Sequence, residues 1–565
     1  MNSIYDYKSP EARVRTAQFL FDYAKSYRAE ADERWQLCYA YYAGRHRTQL
    51  DIAESCRDAG IPWIAAMSPD PYLQVESQIT SELPDFEFRG RDDDLDSIRA
   101  RQREDVVRYI LTHNHVADEM ASNDRRCLIT GNSAWKVYWD DAGGGDVRVV
   151  PVDPRFLYPD PSAKRLDECE YLQFVYPVHH RAFTRMYGGE LKRLGVDMEE
   201  LAHTSDPYRT PDPETYTAQD DVIAVTEHWY RDEEGDICCS IQAGGYELRH
   251  IEKYWQRTAP YNTSYPFVIQ YRVSSPDTFW GSGDIEPIIT LVDAVDRELS
   301  IAQLSSAFLG SDIILAEYDA FSEEPENRPG ALWRLKPGAM GKVARLGGFG
   351  GNATHLDMTA RLREMISETL GTLDIDKGIV QTSLTSAAAL SQLIERSDAR
   401  SVPKKSERIN AFARLYTLID WTALEFYDED RIIFLGAQNG KEARVFTFNA
   451  NDFMDENGYF PVVDAYVSAG DGMRRSNTFT LSAIDALLGH QVTRENYPLV
   501  MDVLRLLGLE RAGEIEEHFE KIFAEEEKAE PEVPVSQEEA LLEPDHDLEG
   551  KWKERKDTDY GEQDS

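Results

Sequence analysis

A glycine-rich stretch, residues 348–353, is the strongest candidate for chemistry in this sequence. Its residues, Gly-Phe-Gly-Gly-Asn-Ala, match the GxGxxA spacing that lets backbone N–H groups approach a pyrophosphate at the start of a helix. Asp374 and Asp376 follow where a ribose-binding acid is expected. The strand predicted before the glycines contains Lys342 and Arg345, however, whereas a central parallel strand is almost entirely apolar. We therefore interpret the stretch as a connector and keep a nucleotide-binding enzyme as the alternative.

Histidines and runs of acids give weaker signals. His113 and His115 lie near a predicted helix end, where their side chains diverge, and His179 and His180 are adjacent, which disfavours a shared metal. The three aspartates at 92–94 precede a predicted helix, whose first turn tolerates negative charge, so a solvated loop is favoured over a nuclease site. The sequence also has no HExxH, CxxC, GxSxG or GxxxxGK[ST] motif. We predict a protein that is not an enzyme and holds no metal or cofactor.

Composition limits the possible partners. The 565 residues are 42% hydrophobic, enough for large cores, and carry a net charge of −41. Residues 526–565 alone hold 15 acids and 5 bases. Tight nucleic-acid binding needs basic patches, so this balance argues against it. No apolar run approaches the roughly 18 residues that cross a membrane. The six scattered cysteines suit a reducing cytoplasm.

Hydrophobic periodicity places these residues on elements of both kinds. Apolar residues recur at helical spacing from Val14 to Cys38, including Tyr27, between a cap at Ser9 and a stop at Gly44. Further helices are predicted at about 94–113 and 116–129. Strands are predicted at 135–139 and 147–152 around a glycine turn, and a β-rich block spans about 222–271. The fold class is therefore α+β.

The central third contains an unusual helix. Residues 284–309 are apolar over most of the helix circumference, so the helix must be covered on several sides. Its polar positions form one narrow stripe: Glu286, Thr290, Asp293, Arg297 and Ser300. Short β-like segments follow at 311–317, 331–336 and 341–346, and a second helix is predicted at 355–370.

The chain after this second helix is predicted to be mainly helical. A Ser/Thr/Gly-rich loop ends at Ser386, and a long helix continues to about Tyr427, bent or split by Pro403. Three short helices are predicted at 481–488, 493–507 and 513–527. The acidic tail after them has the composition of a disordered segment.

This order of elements resembles the portal proteins of tailed phages, the head–tail connectors. The stretches that carry the resemblance are "NDRRCLITGNSAWKVYWDDAGGGDVRVVPVDPRFLYPDPSA" (Asn123–Ala163), "YPFVIQYRVSSPDTFWGSGDIEPIITLVDAVDRELSIAQ" (Tyr265–Gln303), "GTLDIDKGIVQTSLTSAAALSQLIERSDAR" (Gly371–Arg400) and "GHQVTRENYPLVMDVLRLLGLERAGEIEEHFEK" (Gly489–Lys521). They are spread over most of the chain, from Asn123 to Lys521, and their order is more specific than any one of them.

The resemblance implies a portal fold that assembles into a ring of about twelve copies. The wing would comprise residues 1–271, followed by an approach segment with the first stem helix at 272–310. The clip would occupy 311–353, the second stem helix 354–371 and the tunnel loop 372–386. A long kinked wing helix would lie within 387–479, a helical crown at 480–527 and a disordered acidic tail at 528–565. The apolar flanks of the first stem helix would then pack on neighbouring copies.

The resemblance also assigns roles to residues. The stripe Glu286/Thr290/Asp293/Arg297/Ser300 would line the DNA channel, and the tunnel loop would present Lys377, Gly378, Thr382 and Ser383. The clip would contribute the basic residues Arg334, Lys342 and Arg345. The implied partners are other copies of the chain, double-stranded DNA bound weakly and without sequence preference, terminase, head–tail adaptor or tail proteins, the major capsid protein and a scaffolding protein, with no membrane.

The implied function is a channel at one capsid vertex of the virion, assembled in the host cytoplasm, for DNA packaging and ejection. Two alternatives remain open at this point. One is the nucleotide-binding enzyme that uses the Gly348 stretch, and the other is a different virion structural protein, such as a baseplate or capsid component.

Overall fold

The computed structural model describes residues 5–46, 67–79, 83–90, 94–141, 144–197, 201, 222–257, 263–309, 313–323, 334–346, 352–371, 387–436, 444–454, 460–461 and 463–467. Within these ranges, only the backbone is described at 94–97, 304–309, 313–314, 345–346, 352 and 387–401. The chain divides into two compact units, residues 1–474 and 475–565, and all of the described residues belong to the first. The predicted crown helices and acidic tail therefore lie outside the described residues.

The described helices are α1 (Pro10–Tyr42), α2 (Asp70–Gln78), α3 (Asp94–His113), α4 (Val116–Thr130), α5 (His180–Leu194), α6 (Ile289–Leu309), α7 (Asn352–Leu370) and α8 (Ala387–Phe426). Six of these eight described helices were predicted from the sequence, whereas α2 and α5 were not. The Ser9 hydroxyl caps α1 by accepting from the Ala12 N–H at 3.2 Å, and Pro10 occupies the first turn. No described helix is both long enough and apolar enough to cross a membrane.

The strands form small antiparallel sheets. They are β1 (Phe86–Gly90), β2 (Asn132–Asp140), β3 (Asp146–Val152), β4 (Leu157–Pro159), β5 (Tyr171–His179), β6 (Val222–Arg231), β7 (Ile237–Ala243), β8 (Tyr246–Ile251), β9 (Phe267–Tyr271), β10 (Ile313–Ala316), β11 (Val343–Leu346), β12 (Arg431–Leu435), β13 (Arg444–Phe448) and β14 (Val463–Val467). The two larger sheets have the orders β3-β2-β9 and β4-β5-β6-β7-β8. The pairs β1–β14, β10–β11 and β12–β13 form two-stranded sheets. The α+β class is confirmed.

The two larger sheets share one apolar core with α8. This core contains Trp135 of β2, Trp229 of β6 and Tyr416 of α8. A buried ion pair crosses it, since the Lys136 Nζ lies 2.7 Å from both carboxylate oxygens of Glu227. Buried ions without a partner are costly, so this pair fixes how the two sheets face each other.

The predicted stem helices pack on each other in the same subunit. Ile288, Val292 and Val295 at the start of the first one are buried with Leu362 and Ile366 of α7. Leu128 and Ile129 of α4, Cys38 and Tyr41 of α1 and Val75 of α2 complete this cluster. The expectation that neighbouring copies cover the helix is therefore wrong for this part, because the chain's own helices cover it.

Two sequence predictions need correction. The first stem helix was expected from Asp284, but residues 286–288 form a 3-10 turn and α6 begins at Ile289. Pro287 lies in that turn and lacks an N–H, while Asp284 is held by other contacts. Tyr27 was counted on the apolar face of α1, yet it is exposed, because Ala24 and Arg28 occupy the buried side.

Candidate functional site at the base of the stem

Three glycines bring the backbone before α6 against the turn between α4 and β2. Gly131 ends α4 with φ 88°, and a Cβ atom there would lie 2.4 Å from the Ser282 carbonyl carbon. A Cβ at Gly283 would lie 2.6 Å from the Ile129 carbonyl oxygen, and one at Gly281 would lie 2.4 Å from the Val273 oxygen. Such distances exclude a side chain, so the two backbones touch only because all three residues are glycine.

Asn132 joins the same two segments by hydrogen bonds. Its Oδ1 accepts from the Gly281 N–H at 2.8 Å, and its Nδ2 donates to the Gly281 carbonyl at 3.2 Å. Asn132 is fully buried, so both bonds form away from water. The segment leading into the stem is therefore fixed to the larger sheets before α6 begins.

Asp284 is the centre of a buried ionic cluster just ahead of α6. Its Oδ2 accepts from Arg272 at 2.8 Å, and its Oδ1 accepts from the Lys404 Nζ at 2.7 Å. The Asp284 N–H donates to the Leu128 carbonyl at 2.9 Å. Lys404 directly follows Pro403, the proline inside α8. Asp284 thus joins the end of β9, the end of α4, the approach to α6 and the helix α8 through its carboxylate and its backbone N–H.

A second buried cluster lies two turns along α6. Asp296 accepts from the His46 Nδ1 and, at 2.7 Å, from the Ser68 N–H. The neighbouring Asp293 accepts from the Tyr41 hydroxyl. His46 and Asp296 are both buried. The end of α1 and the start of α2 are therefore both tied to the first stem helix.

The environment of His46 favours its charged form. Burial would lower the pKa of His46, but the hydrogen bond and the charge of Asp296, with smaller contributions from the Tyr41 carbonyl and Asp293, raise it above the ordinary value. The Nε2 faces the Tyr41 carbonyl at 3.3 Å, so both ring nitrogens face acceptors. A protonated ring can donate to both.

The predicted channel stripe crosses the boundary between the buried and exposed sides of the stem. Thr290 and Arg297 are exposed, whereas Ser300 is buried. Asp293 binds Tyr41, and Glu286 lies 3.3 Å from Arg34 of α1. The five positions thus do not form one exposed stripe, because helix α1 covers one side of it. Channel lining stays a prediction for Thr290 and Arg297.

The other predicted contact residues lie in two further places. In the predicted clip, residues 311–353, the Lys342 Nζ lies 3.1 Å from both Glu317 and Asp319, which raise the pKa of Lys342, and Arg334 lies 3.9 Å from Glu323. These two basic groups already face acids of the same chain. The side chain of Arg345 and the tunnel-loop positions Lys377, Gly378, Thr382 and Ser383 lie outside the described residues.

The structure weakens the interpretation of the Gly348 stretch as a nucleotide site. Residues 347–351 lie outside the described residues, but strand β11 just before them pairs antiparallel with β10 in a two-stranded sheet. A dinucleotide site needs a parallel strand inside a larger sheet at this point. Among the described residues, no group of three or more His, Cys, Asp or Glu side chains could hold a metal ion.

Sequence reasoning missed Asp284, Asp296, His46 and Lys404. A usable signal was present, because an acid inside an otherwise apolar helix is seldom buried without a partner. The partners could not be named, since they lie more than a hundred residues away in the chain: Lys404 for Asp284, and His46 for Asp296. The polar groups of both clusters bind within the chain, so the arrangement can hold the stem rigidly at its base.

The chain is similar to a known protein family and to a solved structure. Residues 21–261 match the family described as phage P22-like portal protein. Among solved structures, a chain described as "Virion of native gene transfer agent (GTA) particle" is similar with a TM-score of 0.34 and 11% identity, over 77% of this chain and 90% of that chain. No curated protein matches the sequence. The family match confirms the resemblance to portal proteins over residues 21–261.

Proposed function

We propose that this chain assembles into a ring at one capsid vertex, through which DNA enters during packaging and leaves during ejection. The family match over residues 21–261 is the observation that carries the proposal. Terminase, head–tail adaptor or tail proteins, the major capsid protein and a scaffolding protein are the proposed partners of the ring. The packaging ATPase would be a separate protein.

The packing of the central segment supports a stem. Helix α6 leaves the base, the chain reverses around the β10–β11 pair, and α7 returns, so that Glu298 meets His355 at 2.7 Å. The turn before α6 packs near the end of α7. An antiparallel helix pair that is anchored by buried ionic clusters at one end suits a channel wall that must keep its shape while DNA passes.

Contacts with DNA in this ring would be weak and independent of sequence. Thr290 and Arg297 would face the channel from α6, and the tunnel loop, residues 372–386, would present Lys377. The clip would add Arg334, Lys342 and Arg345. A wall of mostly acidic subunits, with a net charge of −41 each, limits adhesion because phosphates are repelled. Isolated basic groups then touch phosphates without holding them.

Electron microscopy and mass measurement of the purified full-length chain test this function. We expect closed rings with an axial channel and a mass that is a multiple of 64.5 kDa. A particle that stays at 64.5 kDa across a wide range of protein and salt concentrations would contradict the proposal.

A further inference from the structure

Helix α1 carries an exposed row of aromatic side chains. Phe19, Tyr23 and Tyr27 follow one another at four-residue spacing, which places them on one side of the helix. Between 46% and 66% of each side chain is exposed. The opposite side of the helix is packed, since Leu20 and Ala24 are buried against the tyrosines of the five-stranded sheet. We call Phe19, Tyr23 and Tyr27 the aromatic row.

The β12–β13 hairpin has apolar residues on both of its faces. Ile433 and Phe448 point inward and are buried in the main core. On the other face Phe434 pairs with Val445, next to Ile432, and each of these three is 60% to 75% exposed. A sheet with one face in water normally carries polar residues there. Ile432, Phe434 and Val445, the hairpin face, therefore have the composition of a covered surface.

The two surfaces lie at separate places on the subunit. The aromatic row lies on the half of α1 that covers the five-stranded sheet, whereas β12 packs on α3. Along this side of the subunit, α1 packs on α4, α4 on α3 and α3 on β12. A ring is built from heterologous contacts, in which one surface of each copy meets a different surface of the next copy. Two separate apolar surfaces on one chain meet that requirement.

The aromatic row and the hairpin face also expose similar areas. An aromatic side chain has roughly 200 Å² of surface, so the aromatic row exposes on the order of 300 Å². The hairpin face has one aromatic and two smaller aliphatic side chains that are more exposed, so its area is of the same order. That is the size of a large exposed patch on a monomer, and such patches commonly mark interaction sites. A standard interface buries about 800 Å² per partner around a more apolar centre. Each set is therefore large enough to form such a centre, and too small to be the whole interface.

We propose that the aromatic row of one copy packs against the hairpin face of the next copy in the ring. The second copy is the occupant that these observations favour, because the chain itself provides two unlike apolar surfaces of similar size. This inference rests on the proposed ring and adds to it which surfaces touch. The aromatic rings supply large contact area at a low cost in side-chain entropy, and the hairpin supplies a flat apolar platform.

Mixing two variants of the full-length chain tests the pairing. Tyr23→Lys/Tyr27→Lys removes one surface, and Ile432→Lys/Phe434→Lys removes the other. Each variant alone should remain monomeric while keeping the wild-type circular dichroism, since all four residues are exposed. In a mixture, the intact hairpin face of the first variant meets the intact aromatic row of the second. We expect a dimer of twice 64.5 kDa that grows no further, measured by light scattering.

The outcomes separate this inference from the ring itself. A mixture that stays monomeric, a variant that dimerises alone, or variants that still form wild-type rings would each overturn the pairing while leaving the ring standing. A wild-type chain that never assembles would overturn both. Met186→Lys is the control, since it places a lysine at an exposed apolar residue of α5 outside both surfaces, and it should assemble as the wild type does.

Discussion

Two carboxylates on the first stem helix bind side chains that are distant in sequence. Asp293 receives the hydroxyl of Tyr41, and Asp296 receives both the His46 ring and the Ser68 N–H. The Tyr41 and His46 rings stack with their centroids 4.8 Å apart. These contacts bind the end of α1 to a helix that lies 250 residues later in the sequence. How much they stabilise the fold depends on the protonation of His46.

The direction of the pH effect follows from the raised pKa of His46. In the unfolded chain a histidine has a pKa of about 6.5, and Asp296 raises it in the folded chain. The protonated ring therefore stabilises the fold fully below that unfolded value. The contribution disappears as the pH rises through the raised folded pKa.

His46→Gln should consequently lower the thermal midpoint more at about pH 6 than at about pH 9, with both proteins scanned in the same buffers. Each unit by which the pKa is raised corresponds to about 1.4 kcal/mol. His115→Asn is the control, because His115 is exposed and asparagine tolerates its positive φ of 52°. A difference between His46→Gln and wild type that stays constant over this pH range would show that Asp296 does not hold a charged ring.

At the scale of elements, the sequence predicted what local signals determine. The cap at Ser9 and the left-handed glycine at 131 mark the ends of α1 and α4, because caps and left-handed turns are properties of a few adjacent residues. The start of α6 was predicted five residues too early, since the periodicity continues through Pro287 while the backbone does not. Local patterns thus predicted helices α6 and α7 but misplaced the first turn of α6.

The contacts between elements could not be read in this way. The contact of Gly281-Ser282-Gly283 with Gly131 depends on how two segments 150 residues apart are packed. The same holds for Lys404, which looks like a surface residue of a long helix and instead binds the buried Asp284. Such pairings depend on the tertiary fold, and no spacing in one sequence encodes them.

The ionic cluster at Asp284 should respond unequally to removal of its members. Asp284→Asn leaves Arg272 and Lys404 facing a neutral group inside the protein, which we expect to lower the free energy of unfolding by about 3–5 kcal/mol. Lys404→Met leaves the Asp284–Arg272 bond in place, so its cost should be about 1–2 kcal/mol. Denaturant unfolding of the full-length chain measures both.

Arg414→Met is the control on the same helix, because Arg414 is exposed, and it should change the free energy of unfolding little. If Lys404→Met lowered the free energy of unfolding as much as Asp284→Asn, the packing of α8 on the segment before α6 would depend on the lysine rather than on the carboxylate. If neither substitution changed the free energy of unfolding, the cluster would not stabilise this contact.

For the whole molecule, net charge bears on the proposed contact with DNA. The net charge of −41 argues against a surface that holds DNA over a wide area. Basic groups of the clip face acids of the same chain, as Lys342 does with Glu317 and Asp319. Arg297 differs, since it is exposed on α6 next to Thr290 on the same side of the helix. In a ring, one arginine per copy would form a single basic circle on an acidic wall.

Arg297 therefore gives a prediction about the assembled particle. Replacing it with glutamate reverses the charge of the circle, so phosphates are repelled where they were weakly attracted. Arg297→Glu should leave ring formation unchanged, because the side chain is exposed, and should lower the fraction of DNA-filled heads several-fold. Arg297→Lys keeps the charge and should fill heads as the wild type does. The measurement is the DNA content of purified particles as the salt concentration is varied, because a contact with phosphate weakens as salt rises. If particles with Arg297→Glu fill and retain DNA at the wild-type level at every salt concentration, Arg297 does not line the channel.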